Sequence, residues 1–382
     1  MFDEDKEKIE YEEIGFGKIL TSLLDNEDIT DIEVRPTLND IGFGLWIVDA
    51  NKGRSRINLD EYSDDEIDEL IKTIENMPSQ LKYNMHSDYS ATEPALDAEM
   101  VYEDKAILRI NCIHESLTGS NNIPLIAIRK SSYDLRLTKE YMVESKFVGD
   151  KFFDLMDVVI QASCNIMIAG QVGSGKTSLL KYLIRYIRQQ ESIITIEDTR
   201  EAFLDRLYPE KETGSLKSNN KEEKTKFEML SKYCLRQNMQ WEVVSEIRGT
   251  AVIDLMDAVG SGHNLISTIH ADGVEEIPFR MVNMAKTDGA TSRRLYDQIF
   301  QDINIGIFIF YYNDEQGSHR QVKEVCEYYT DERGKPQTHM LYQYDETTGE
   351  YKIDQIKSTK IINKIKRKKI DYSKIKGVFI NE

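Results

Sequence analysis

Short apolar runs separated by amphipathic stretches dominate the middle of the chain. Residues 165–169, 193–196, 241–244 and 265–269 are mostly apolar and each is only four or five residues long. Runs of that length bounded by polar positions predict buried strands. Between the first two, residues 178–189 place Leu179, Leu180, Leu183 and Ile187 on one face, which predicts a helix. Strands alternating with helices over about 140–315 predict an α/β core.

The flanks carry a different pattern. Residues 32–35 and 45–48 alternate apolar and polar, and 106–110 and 125–129 read as further strands. Ser63-Asp64-Asp65-Glu66 has the form of a capping box, and Ile67, Leu70, Ile71 and Ile74 after it keep helical spacing. Residues 116–122, rich in Ser, Gly and Asn, predict a loop. The amino-terminal domain, 1–139, is therefore expected to be α+β on an antiparallel sheet. The second, 140–382, is expected to close with two hairpins turning at 313–317 and 345–349. Residues 210–226, polar and charged, are expected to form an exposed excursion.

Composition narrows the class of protein. The net charge of −18 argues against a chain that mainly coats nucleic acid, because phosphate contacts need a basic surface. No apolar run approaches the roughly 20 residues a membrane helix needs. The start Met1-Phe2-Asp3-Glu4-Asp5 is acidic where a signal peptide is basic, so a cytoplasmic location is expected. Cys112, Cys164, Cys234 and Cys326 are widely spaced, which predicts reduced, buried thiols rather than disulfides or a zinc ribbon. The lysine-rich stretch 357–376 is expected to be a solvated tail, with docking to an acidic partner or to lipid headgroups as the other reading.

The chemistry is concentrated at strand ends. Gly170-Gln171-Val172-Gly173-Ser174-Gly175-Lys176-Thr177 is a Gly-x-x-x-x-Gly-Lys-Thr phosphate loop between a predicted strand and a predicted helix. Its backbone N–H groups and the helix dipole favour a triphosphate. Lys176 is expected on the β- and γ-phosphates and the Thr177 hydroxyl on Mg²⁺. The other strands end at Glu197, Glu246 and His270. In an open α/β sheet those ends share one edge with the loop, so the three side chains are expected to converge on the phosphates. Glu197 suits activation of water, Glu246 suits the Mg²⁺ shell, and His270 suits contact with the γ-phosphate. Glu197 with Asp198 as a helix-capping pair, and His263 and His270 as hydrogen-bonded structural histidines, are the other readings of these residues.

Together these segments resemble the secretion ATPase superfamily of type II and type IV systems. The loop matches its Walker A, residues 194–201 its Asp box, 243–249 its Walker B, and Gly262-His263 with 267–271 its His box. Pro94, Leu96, Asp97, Ala98, Arg109, Pro124 and 128–130 follow the upstream pattern. The likeness is nearest to tight-adherence (Flp) pilus motors and type IV secretion traffic ATPases, and the tetracysteine zinc insertion of some members is absent. The resemblance implies a RecA-like P-loop NTPase core after a PAS-like domain, and a homohexameric ring with ATP and Mg²⁺ at the domain interface. It implies a cytoplasmic motor acting on an inner-membrane platform or secretion-channel protein, meeting the membrane only through that partner and with no direct nucleic-acid contact. It adds Arg109 and Arg129 as arginines near the phosphates, an ordinary surface ion pair being the other reading of both. It also adds Ser178, Arg200, His263 and Arg248 to the nucleotide-binding set.

The chain departs from the pattern at Gln240 and Trp241 ahead of Walker B, at Ser245 where Gly is usual, and at Asn264-Leu265 after Gly262-His263. A nucleic-acid-translocating ATPase, a small-molecule kinase and a nucleotide-gated scaffold that does not hydrolyse are the other readings of a phosphate loop.

Overall fold

The computed structural model describes residues 15–37, 42–85, 88–118, 123–219, 222–314 and 317–381. Internal contacts divide the chain into two units: 1–132 with 313–318, and 133–312 with 319–382.

In the first unit, alternation produces a sheet with one covered face. Strands β1 (Ile29–Pro36), β2 (Phe43–Asp49), β3 (Gly53–Arg56), β4 (Ala95–Tyr102), β5 (Ala106–Ile113) and β6 (Leu125–Ser132) pair antiparallel in the order β3-β2-β1-β6-β5-β4. Ile32, Val34, Leu45, Leu96, Leu108, Ile110 and Ile128 face a core shared with helices α1 (Gly17–Asp25) and α2 (Asp64–Met85). The Ser63 box caps α2 as its spacing requires. Ser63 N–H and Oγ donate to Glu66 Oε2 at 3.0 and 2.7 Å, and Glu66 N–H donates to Ser63 Oγ at 3.4 Å. The expected loop at 116–122 begins instead as one helical turn, α3 (Glu115–Thr118), and its residues 119–122 lie outside the described residues.

The second unit, with 313–318 of the first, holds β7 (Ile166–Gly170), β8 (Ile193–Glu197), β9 (Thr213–Lys217), β10 (Trp241–Val244), β11 (Asn264–Ile269), β12 (Ile305–Asp314), β13 (Gly317–Thr330), β14 (Pro336–Asp345) and β15 (Glu350–Ile353). They lie in the order β15-β14-β13-β12-β7-β11-β10-β8-β9, parallel from β12 to β9. Its helices are α4 (Lys139–Glu144), α5 (Lys151–Gln161), α6 (Lys176–Leu183), α7 (Leu204–Leu207), α8 (Phe227–Cys234), α9 (Ala251–Gly260), α10 (Ile277–Ala285), α11 (Gly289–Asp302) and α12 (Thr359–Arg367).

The central strands are covered on both faces, as continuous apolar runs demand. On β7, Ile166 and Ile168 enter a core with α5, α6 and α12, while Met167 and Ala169 enter another with α9, α10 and α11. The four cysteines are free and buried.

Three expectations are corrected. Residues 178–189 do not continue as one helix: α6 stops at Leu183, and a 3-10 turn, Ile184–Tyr186, follows. The i,i+3 pair Ile184 and Ile187 is buried just as well by that tighter turn. The excursion at 210–226 contains β9, an edge strand paired to β8, whose polar sequence hides it because an edge need not be apolar.

The lysine-rich carboxyl segment is not a solvated tail. Ile361, Ile365, Ile370, Ile375 and Phe379 are buried beneath it. Lys364 Nζ donates to Ser163 O at 2.6 Å and Asn304 Oδ1 at 2.9 Å, so its charged head ends on polar atoms while its stem covers apolar surface. Ile365→Ala is expected to cost about 2–5 kcal/mol in urea unfolding. Arg367→Ala, on the exposed face, is expected to stay within about 0.5 kcal/mol. Equal small losses from both would mean the segment is not part of the core.

Candidate active site

The phosphate loop leaves β7 at a position only glycine can hold. Gly170 has φ +154°, and a Cβ there would lie 2.6 Å from both Ile309 O and Ser174 Oγ. The loop then enters α6 at Lys176. The lysine is 8% exposed and folds back over the loop, donating from Nζ to Gly170 O at 2.9 Å and Gln171 O at 2.8 Å. Gln171, Val172 and Gly173 are exposed; Gly175, Thr177 and Ser178 are half-buried at the start of α6. Ser174 Oγ is buried with no hydrogen-bond partner among the described residues. An orphaned hydroxyl and a glycine-lined cradle suit an anionic ligand with oxygen acceptors. Thr177 in the first turn and a carboxylate nearby suit a hard cation bound with it.

Parallel strands bring the other expected residues to the same edge. His270 follows β11, and its Nδ1 lies 3.2 Å from Gly170 O and 3.4 Å from Lys176 Nζ. Its Nε2 lies 3.2 Å from Glu246 Oε1. Glu246 follows β10 and accepts from Arg248 at 2.7 Å. Arg248 also reaches Asp198 Oδ2 at 3.4 Å, and Ser218 Oγ donates to Asp198 Oδ1. One chain of polar contacts thus runs from the phosphate loop across the ends of four further strands. Burial pushes the Glu246 carboxyl up, but the Arg248 hydrogen bond and the charges of Arg248, His270 and Lys176 outweigh it and hold the group below its usual range.

Glu197 is 2% exposed. Its Oε1 accepts from Ser245 Oγ at 2.7 Å and from the N–H groups of Glu201 and Ala202 at 3.1 and 2.9 Å. Burial raises its pKa, and these three donors pull in the other direction. The Glu197–Asp198 pair caps no helix: the N–H groups it holds lie in the turn before α7, which begins at Leu204 without a side-chain cap. Ser245, a departure by sequence, is the side-chain donor that orients this carboxylate. Arg200 is exposed on the turn that Glu197 holds.

Other expected residues lie elsewhere. His263 precedes β11, at the end of the strand away from His270, and its Nδ1 lies 3.3 Å from Ala258 O. The parallel direction of β11 and β7 keeps it from the loop. Gln240 and Asn264 share that far edge. Gln240 Oε1 accepts from Ser192 N–H at 2.8 Å, and Asn264 Nδ2 donates to Gln240 O at 3.0 Å, so these departures alter the floor of the sheet. Arg109 and Arg129 belong to the first unit, where they are exposed cross-strand neighbours on β5 and β6. Arg129 Nε lies 3.9 Å from Asp31.

Sequence reasoning missed a second carboxylate on β10. Glu242 is 1% exposed, its Oε1 has no partner among the described residues, and Ser231 Oγ donates weakly to Oε2 at 3.4 Å. Burial pushes its pKa up to about 7, with the Asp254 charge adding to the rise. A glutamate within an apolar run gave no signal of its own. The folded state holds this proton more tightly than the unfolded chain, whose carboxyl titrates at 4.5. The stability it contributes is full below 4.5 and is lost as pH rises through about 7, up to about 3 kcal/mol. Glu242→Gln is expected to flatten the stability profile between about pH 5 and 8 and to raise the midpoint at pH 8. An unchanged pH slope in denaturant titrations would refute this.

Comparison with known proteins adds the following. The family model described as "Type II/IV secretion system protein" matches residues 100–304. An uncharacterized protein of Bacillus anthracis is 28% identical over 345 residues, covering 87% of this chain and 69% of that protein. The type IV secretion system protein VirB11 of Brucella suis is 28% identical over 206 residues, covering 52% of this chain and 56% of VirB11. The solved structure of the ATPase DotB of Legionella pneumophila superposes with a TM-score of 0.55 at 16% identity. It covers 88% of this chain and 84% of that one, which is a likeness of fold.

Proposed function

The chain belongs to the type II/IV secretion system protein family, and from that membership we propose that it is an ATP-hydrolysing motor for pilus assembly or protein secretion. The observation that carries the reading is the Gly170 carbonyl, where Lys176 and His270 meet within 3.2 Å, with Glu246 directly behind His270. In this reading the second unit is a RecA-like core and the first a PAS-like domain. The protein works as a cytoplasmic homohexamer on a membrane-embedded platform or channel.

ATP displaces Lys176 from the loop carbonyls, and the ammonium moves to the β- and γ-phosphate oxygens. Thr177 and Glu246 would hold Mg²⁺, whose charge would offset that of the phosphates. Glu197 takes a proton from water through Oε2 as the water oxygen bonds to the γ-phosphorus. The bond to the bridging oxygen breaks, leaving ADP and phosphate. His270 passes the change at the γ-phosphate to Glu246 and Arg248. Arg109 and Arg129 are the arginines this reading adds near the phosphates.

A nucleotide-gated scaffold is the second reading, favoured by the three donors already on Glu197 Oε1. Hydrolysis measured against protein concentration, with molar mass by light scattering, separates the two. Turnover that rises as a roughly six-fold species forms fits the motor, and nucleotide binding without turnover fits the scaffold. Lys176→Ala is expected to lower kcat/KM by at least about 100-fold. If that variant keeps full turnover, the assignment fails.

Ser245→Ala removes a hydrogen bond that lowers the Glu197 pKa. The acid limb of its kcat/KM profile is therefore expected to move to higher pH. A limb that stays put would remove Glu197 as the base.

A further inference from the structure

The outer side of the phosphate loop is in contact with the β12–β13 hairpin. Arg320, on β13, donates from Nε to Gly173 O at 2.8 Å. Its guanidinium carbon lies 4.8 Å from the centre of the Tyr311 ring on β12. A Cβ on Gly173 would lie 3.4 Å from Tyr311 Cε1, and one on Gly175 would lie 3.7 Å from Arg320 Cδ. The pair thus fits against both inner glycines of the loop. None of the loop's own letters encodes this contact, and it lies nearly 150 residues away in sequence.

We propose that Arg320 and Tyr311 are positioning residues that brace the phosphate loop from outside and set its affinity for nucleoside triphosphate. The proposal rests on the ATPase reading and names a determinant of that same site.

Two physical effects support it. Gly173 and Gly175 have φ +80° and +90°, and glycines lose the most conformational freedom when ordered. A carbonyl held by a charged donor and a ring packed on the α-carbon order the loop before ligand arrives, which lowers the cost of binding.

The second effect is electrostatic. Phosphate-loop N–H groups point toward the ligand, and their carbonyls carry the opposite partial charge. Lys176 holds the carbonyls of Gly170 and Gln171, and Arg320 holds that of Gly173. The Gly173 carbonyl belongs to the peptide whose N–H is that of Ser174. A cation on its oxygen strengthens that N–H as a donor. The Ser174 N–H now makes only a long bond, 3.3 Å to Gln171 O, and the Ser174 hydroxyl is buried without a partner. Both are ready to accept a phosphate oxygen as a partner in exchange. When Lys176 leaves for the phosphates, Arg320 remains as the cation on the loop's backbone.

The test uses the full chain with Mg²⁺ and a fluorescent ATP analogue, read by equilibrium titration, alongside steady-state hydrolysis and thermal unfolding. Arg320→Ala is expected to raise Kd and KM about tenfold while kcat changes less than about threefold. Arg320→Lys, which keeps charge without the planar stack, is expected to recover part of the affinity. Tyr311→Ala is expected to bind about threefold more weakly. Wild-type affinity in a folded Arg320→Ala protein, or a fall in kcat at unchanged Kd, overturns the brace. If Arg320→Ala fails to fold, the Arg320→Lys and Tyr311→Ala titrations decide, and wild-type affinity in both overturns it. A wild-type protein that binds no nucleotide overturns the ATPase reading itself, and the brace with it.

Discussion

The site depends on one peptide group, that of Gly170. Its α-carbon is pressed between the Ile309 carbonyl and the Ser174 side chain, at a distance no Cβ tolerates. Its carbonyl oxygen collects the Lys176 ammonium and the His270 ring. That peptide ends β7, which is flanked by parallel partners β11 and β12 and buried on both faces. A loop that starts from a strand buried along its whole length inherits that strand's rigidity. Loop position is thereby fixed by core packing, and side-chain chemistry is free to respond to ligand. Lys176 is held by neutral carbonyls, which are weaker partners for an ammonium than a charged acceptor.

Environment divides the labour among carboxylates that sequence alone treats alike. Glu242 and Glu246 are four residues apart on one strand and its exit. The first, enclosed among apolar side chains, holds its proton up to about 7. The second, facing Arg248, His270 and Lys176, is kept ionised. Glu197 lies between these extremes, buried yet supplied with three donors. Spread of this kind between titratable neighbours separates acid, base and structural roles.

The parallel core was legible because buried strands must be continuously apolar, and its strand ends then had to share an edge with the loop. The capping box at Ser63 was legible for the same reason, as a local pattern with a local partner. Edge strand β9 was not, because nothing packs on it strongly enough to constrain its side chains. The carboxyl-terminal helix was misread because nine lysines and arginines between 357 and 376 masked a buried isoleucine pair, four residues apart. His263 shows the limit of motif reading: a box spanning a whole strand carries residues to both ends of the sheet, and only direction along the strand tells which end is which.

Arg109 and Arg129 show how little energy keeps a charged group waiting on a surface. Across the first unit's sheet, Glu99 on β4 is registered with Arg109, Arg109 with Arg129, and Arg129 with Asp31 on β1. Two arginines side by side would repel, and the acids at either end of the row offset that repulsion. At 3.9 Å and half exposed, the Arg129–Asp31 pair is of a kind that contributes about 0–1 kcal/mol. Such a pair holds the guanidinium in place without binding it tightly. The Arg129–Asp31 pair is therefore cheap to break, in contrast to Gly170, where any rearrangement would have to move the core.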